Sequence, residues 1–223
     1  MTSHLKAVIF DMDGLLIDSE PLWSEARTKI LGEFGKVYSK KDKKLVMGRR
    51  YSWVVNLIVR TYKLPISNTE FATKEQAYLD ALFVEKLTFM PGAKVIVDNV
   101  RQAGLKTAVA TSSPRVRLVS ASKKLKLKDF DAKVTGDEIV EGKPNPEIFL
   151  TTAKKLEVAP KSCVVLEDSK YGIRAANAAG MKSVCVMDSR FSQSSDFEGQ
   201  YKPDLFVNSL KALSVDKLKK LFK

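Results

Sequence analysis

KAVIFDMDGLLIDSEPL, residues 6–22, is the stretch on which the reading of this chain turns. Ala7 to Phe10 form a short apolar run of the kind a buried strand shows, and Asp11 and Asp13 follow it two positions apart. Gly14 then lets the backbone turn sharply. In an open α/β sheet the crevice lies beyond the carboxyl ends of the strands, so a strand ending in two carboxylates delivers them where a ligand would sit. One such carboxylate can ligate a hard cation or attack an electrophile, and its neighbour can move protons. Taken alone, D-x-D-G is equally ordinary turn chemistry.

Matching pieces recur downstream. KTAVATSS at 106–113 predicts a strand ending in hydroxyls. GKPNPEIF at 142–149 sets Lys143 in a proline-rich loop ahead of a helix, and CVVLEDS at 163–169 predicts a strand ending in Glu167 and Asp168. In order and inventory these four motifs resemble those of the haloacid dehalogenase superfamily of aspartate-nucleophile phosphohydrolases. The resemblance is to the branch containing β-phosphoglucomutase, 2-deoxyglucose-6-phosphate phosphatase and pseudouridine-5′-phosphatase. It runs from Lys6 to about Asp204.

Around those motifs, strand and helix signals alternate after about residue 90. Strands are expected at 6–10, 106–110, 131–134, 162–166, 183–187 and 204–207, with helices at 92–103, 114–125, 146–157 and 170–179. Pro114 and Pro146 stand where a helix tolerates a first-turn proline, and Gly104 and Gly180 stand where helices stop. The fold class is therefore α/β: a Rossmann-like parallel sheet with helices on both faces. Residues 20–87 break the alternation and predict helices at 20–34, 40–47, 51–62 and 68–85. An all-helical cap domain at 19–87 is expected over the strand ends, inserted in a catalytic core formed by 1–18 and 88–223. The resemblance implies the same cap, and lids of this kind gate reactions and supply specificity.

Composition fits one enzyme subunit. The 223 residues are 44% apolar, with 11 Gly and 8 Pro, enough for a large domain and a small insert. No apolar run approaches the ~20 residues that span a bilayer. MTSHLKAVIF lacks the anatomy of a signal peptide, and Cys163 and Cys185 read as buried reduced thiols, so a cytoplasmic location is expected. The net charge is +12, from 38 Lys and Arg against 26 Asp and Glu. Its basic clusters, SKKDKK at 39–44, KKLKLK at 123–128 and KLKKLFK at 217–223, are mostly lysine and carry no interleaved aromatic platform. They read as solvated helix faces, not a nucleic-acid site, and a positive field can steer phosphorylated small molecules inward. A monomer is the default expectation.

The single histidine, His4, lies in the amino-terminal tail, so phosphoryl chemistry in the crevice would fall to carboxylates. A carboxylate approaching an anionic phosphate needs a cation, and Mg2+ suits oxygen donors and substrate phosphate. The resemblance implies that Asp11 is the nucleophile and a metal ligand. It implies that Asp13 is the acid/base and ligates through its backbone carbonyl, that Asp168 is a further ligand, and that Glu167 is a ligand or stands just behind one. For Glu167 and Asp168 helix capping is the alternative. Thr111, with the Ser112 N–H, and Lys143 are expected to hold the phosphoryl group, while Ser113 reads as a cap. In VMGRR, Gly48 would let the backbone approach a ligand, and the resemblance, whose matching loop contacts substrate, implies that Arg49 in preference to Arg50 reaches it. The expected activity is Mg2+-dependent hydrolysis of a small phosphomonoester, a sugar phosphate or nucleoside monophosphate, through an aspartyl-phosphate. The alternatives are a β-phosphoglucomutase-type mutase and a non-catalytic binding protein on the same fold. Trp23 stands where β-phosphoglucomutase carries a proton-coupling histidine, which favours the hydrolase.

Overall fold

The computed structural model describes residues 4–127 and 130–223, so the last residue of the 123–128 lysine cluster lies outside it. Six strands form one sheet: β1 (Ala7–Phe10), β2 (Lys106–Ala110), β3 (Ala132–Val134), β4 (Cys163–Glu167), β5 (Lys182–Val186) and β6 (Leu205–Val207). Every pairing is parallel, in the order β3-β2-β1-β4-β5-β6. The strands are apolar on both faces because helices cover both. In β1, Ala7 and Ile9 pack with Ile148 and Phe149 of α7 (Glu147–Leu156) and with Ala175 and Ala176 of α8 (Lys170–Ala178). Val8 and Phe10 face the other way, toward Ile96 and Val100 of α5 (Ala93–Gln102) and Leu118 of α6 (Arg115–Leu125). A terminal helix, α9 (Val215–Lys220), adds Leu218 to that second cluster. Each such buried aliphatic or aromatic side chain contributes roughly 1.5–3 kcal/mol.

Register then places the chemistry. Phe10 pairs with Val109 on one side and Leu166 on the other, so Asp11, Ala110 and Glu167 stand level just past the paired rows. The chain leaves β1 toward β2 on one side and is rejoined by β4 on the other, which puts the crevice at the end of β1.

Between β1 and β2 lie four helices: α1 (Glu20–Glu33), α2 (Lys40–Val46), α3 (Tyr51–Thr61) and α4 (Asn68–Lys86). They enclose an apolar cluster that includes Ile30, Leu31, Val54, Ile58 and Phe71. A capping box fixes the start of α4, with Ser67 and Glu70 each accepting the other's backbone N–H. The two connections to the sheet domain run side by side, for Asp18 N–H donates to Thr88 O and Met90 N–H to Leu16 O. One local expectation shifts, and one holds. Pro114 and Pro146 occupy the cap positions of α6 and α7, one residue before the first turn. Cys185 pairs with Glu167 and not with Cys163; both thiols are free, and burial pushes Cys163 up to about 11. Among the described residues no helix is long and apolar enough to cross a membrane.

Candidate active site

Lys143 is the hub of the buried charge. It reaches the sheet from the loop before α7, and its Nζ lies 2.5 Å from both Asp11 Oδ1 and Glu167 Oε1. Its side chain is fully buried, as is that of Glu167. Burial opposes the ammonium charge, but the two carboxylates outweigh it and hold the amine above its usual range. Burial raises Asp11 well above the ordinary carboxylate range; Lys143 pulls it down, while Glu167 and Asp13 add to the rise. The other oxygen of Glu167 accepts the Ser169 N–H and hydroxyl, each at 2.9 Å. Both Glu167 oxygens are therefore engaged, and it holds Lys143 in place. The helix-cap role falls to Ser169, whose Oγ accepts the Gly172 N–H.

Asp13 is cradled by four donors. Ser19 Oγ at 2.7 Å and Trp23 Nε1 at 3.2 Å donate to Oδ1; Thr111 Oγ1 at 3.0 Å and Ser113 Oγ at 2.8 Å donate to Oδ2. Three of the donors depart from simpler readings. Ser19 precedes α1 yet makes no cap bond, Ser113 faces Asp13 instead of capping α6, and Trp23 packs while its indole is spent on the carboxylate. Gly14 adopts φ +77°, and a Cβ there would stand 2.2 Å from Asp168 Oδ2, so the turn needs glycine for both conformation and space.

Across the crevice, the loop from Met47 to Arg50 closes on these residues. Gly48 has φ +68°, and a Cβ would come within 2.3 Å of Ser169 Oγ, so the turn packs closely on the sheet domain while Gly48 lines the cleft. Ser112 Oγ donates to Gly48 O at 3.1 Å. The two arginines diverge. Arg50 donates to the backbone carbonyls of Gly136 and Val140, latching the loop to the sheet domain. Arg49 lines the cleft and lies over the Tyr171 ring at 3.6 Å, with its Nε buried and unpartnered. The cleft between the two layers is also lined by Asp11, Asp13, Glu20, Trp23, Arg27, Tyr51 and Thr111 to Ser113.

The family model of the haloacid dehalogenase-like hydrolases matches residues 8–186. The chain belongs to that family. A Drosophila melanogaster protein named as a probable pseudouridine-5′-phosphatase is 39% identical over 192 residues, covering 83% of each chain. The phosphorylated carbohydrates phosphatase of Thermotoga maritima is 35% identical over 181 residues, covering 81% of this chain and 84% of that one. In fold, the chain superposes on the β-phosphoglucomutase of Clostridium difficile with a TM-score of 0.84 at 24% identity, over 98% of this chain and 97% of that structure.

The donor set fits the magnesium ion that this haloacid dehalogenase-like family implies. Asp11, Glu167 and Asp168 are buried carboxylates opposed by the single cation Lys143. Burial first, then the charges of Glu167, Asp11 and Glu20, raise Asp168 well above its ordinary range, as expected of a carboxylate short of positive charge. Among the described residues no three acidic, histidine or cysteine side chains form a ready metal cluster. Asp11 and Asp168 are the side chains that would hold the ion, with the Asp13 carbonyl.

Sequence reading singled out neither Ser169 nor the polar roof formed by Glu20, Arg27 and Tyr51. Ser169 was legible in principle as an N-cap type just before α8. The roof was not, because α1 and α3 bring its members together from separate helices.

Proposed function

We propose that this haloacid dehalogenase-like phosphatase hydrolyses a small phosphomonoester, a sugar phosphate or nucleoside monophosphate, by way of an aspartyl-phosphate on Asp11. The single observation that carries the reading is the pairing of Asp11 with Lys143 beside a second, differently held carboxylate, Asp13. Two carboxylates in unlike surroundings divide nucleophile from proton carrier. Asp11 attacks phosphorus as the ester oxygen leaves, and Asp13 supplies the proton to that oxygen. Asp13 then takes a proton from the water that opens the acyl-phosphate, which restores both groups. Lys143 balances charge on the phosphoryl oxygens, and the Thr111 hydroxyl turns from Asp13 to donate to them when the ester is bound. Bound at Asp11, Asp168 and the Asp13 carbonyl, Mg2+ supplies charge neutralisation between nucleophile and phosphate. The α1–α4 block serves as a cap over the crevice, and Arg49 reaches the substrate from it.

The names of the relatives support small phosphorylated metabolites as substrates. Trp23 favours hydrolysis over a mutase reaction, since an indole N–H donates to Asp13 but cannot relay a proton. The decisive test is release of inorganic phosphate from p-nitrophenyl phosphate and from a panel of sugar phosphates and nucleotides, with Mg2+ and then with chelator. Activity that survives complete chelation, or none on any substrate, would refute the proposal.

Arg49→Ala separates the substrate role of Arg49 from that of its neighbour. With no carboxylate partner among the described residues, Arg49 keeps its charge free for the ligand. Loss of a charged hydrogen bond predicts a fall in kcat/KM of roughly 10-fold or more on the best substrate. An unchanged kcat/KM removes Arg49 from the site.

A further inference from the structure

The roof of the cleft contains a buried ion pair that the catalytic chemistry leaves unused. Arg27 in α1 donates through Nε to Glu75 Oε1 in α4 at 2.7 Å, with the two residues 6% and 0% exposed. Arg27 lines the cleft, and its guanidinium lies 4.9 Å from the Trp23 ring centroid. Tyr51 stands next to Trp23, ring centroids 5.8 Å apart, and also lines the cleft. The second carboxylate oxygen of Glu75 is buried without a partner. Stability alone is a weak reason for such a pair, since apolar residues of similar volume usually serve as well or better.

Donors and acceptors alternate on this roof. Arg27 and the Tyr51 hydroxyl can donate, and Glu20 can accept. A hydroxyl both donates and accepts, so neighbouring hydroxyls satisfy such a surface; a phosphate only accepts. The charge count agrees. Glu75 offsets Arg27, so among the described residues that line the cleft the roof brings no net positive charge for a second phosphate, and Arg49 is the cation left without a carboxylate partner.

Resting on the phosphatase reading, we infer that Arg27, Tyr51 and Glu20 form a subsite for vicinal hydroxyls on the alcohol half of the substrate. Glu75 is its positioning residue: it seats Arg27 and cancels the charge that would otherwise admit a second phosphate. The enzyme thereby selects neutral, hydroxylated monophosphates over bisphosphates.

Three measurements test this, each with Mg2+ present. Wild-type kcat/KM is compared on a polyol or sugar monophosphate, on its bisphosphate and on p-nitrophenyl phosphate, which has no alcohol hydroxyls. The monophosphate should exceed the bisphosphate by roughly 10-fold or more. Glu75→Gln keeps a hydrogen-bond acceptor for Arg27 but frees its charge, and should narrow that ratio several-fold, through KM. The double variant Arg27→Met with Glu75→Leu leaves no charge stranded, so it should melt within a few degrees of wild type. It should nevertheless lose roughly 10-fold more kcat/KM on the polyol phosphate than on p-nitrophenyl phosphate. Equal wild-type use of mono- and bisphosphate, an unmoved ratio in Glu75→Gln, or a double variant that loses equally on both esters would overturn the subsite. Failure of the wild type on p-nitrophenyl phosphate as well would instead strike the phosphatase reading, and this inference with it.

Discussion

Asp11→Asn is expected to abolish phosphate release while leaving the fold intact. The amide has the shape of the carboxylate but is neither a competent nucleophile nor an anionic ligand. Removing a group that takes part in bond making lowers the rate by ~100-fold or more. Stability should not suffer. Asp11 is one of three buried carboxylates around one lysine, and burial already holds it above its usual range, so neutralising it relieves repulsion from Glu167 and Asp168. The measurement is kcat on the best substrate together with a thermal melt: inactivity with an unchanged or raised Tm is the expected pair. Wild-type turnover, after trace contaminating phosphatase is excluded, would remove Asp11 from the chemistry. Asp13→Asn should fail for a different reason. Both oxygens of Asp13 accept from hydroxyl or indole donors, and an amide must turn its NH2 toward one of those pairs. That variant should keep Mg2+ affinity, because the contact proposed for Asp13 is through its backbone carbonyl.

The same contrast between local and distant information explains what could be read from the chain beforehand. The strand of Ala7 to Phe10 and its two aspartates lie within a few residues of one another, so pattern and chemistry appear together. The helical spans also emerged within a residue or two, since apolar periodicity and the prolines and glycines at helix ends are local signals. What escaped was assembled through space. Arg27 and Glu75 are 48 residues apart, on α1 and α4, and no local pattern links them. Arg49 and Arg50 are adjacent and chemically identical. The preference for Arg49 rests on the resemblance; what escaped was Arg50, which the docking of their loop sends to backbone carbonyls of the sheet domain while Arg49 faces the cleft. Ser113 looked like a cap because serines before a helix usually are; tertiary contact with Asp13 overrode that preference.

Lys143→Met should produce the largest loss of stability of any single substitution in the site. The side chain is fully buried, and it is the only cation within reach of Asp11 and Glu167 among the described residues. Methionine nearly matches its length, so packing beneath α7 is largely kept and the effect is electrostatic. Removing one member of a buried ion pair costs about 3–5 kcal/mol, because the partner charge stays desolvated and unpaired. For a chain of this size that corresponds to a drop in Tm on the order of 10 °C. Glu167 keeps the Ser169 N–H and hydroxyl, so Asp11 bears more of the loss, and it responds by holding its proton more tightly. The rescue follows from that account. Asp11→Asn in the Lys143→Met background removes one of the two stranded carboxylates, and the double variant should melt well above Lys143→Met alone, by coupling of about 1 kcal/mol or more. Melts are best taken in chelator, so that no divalent cation stands in for the missing ammonium. Additive effects in that cycle, or a Lys143→Met protein as stable as wild type, would show that Lys143 is not what holds the buried carboxylates together.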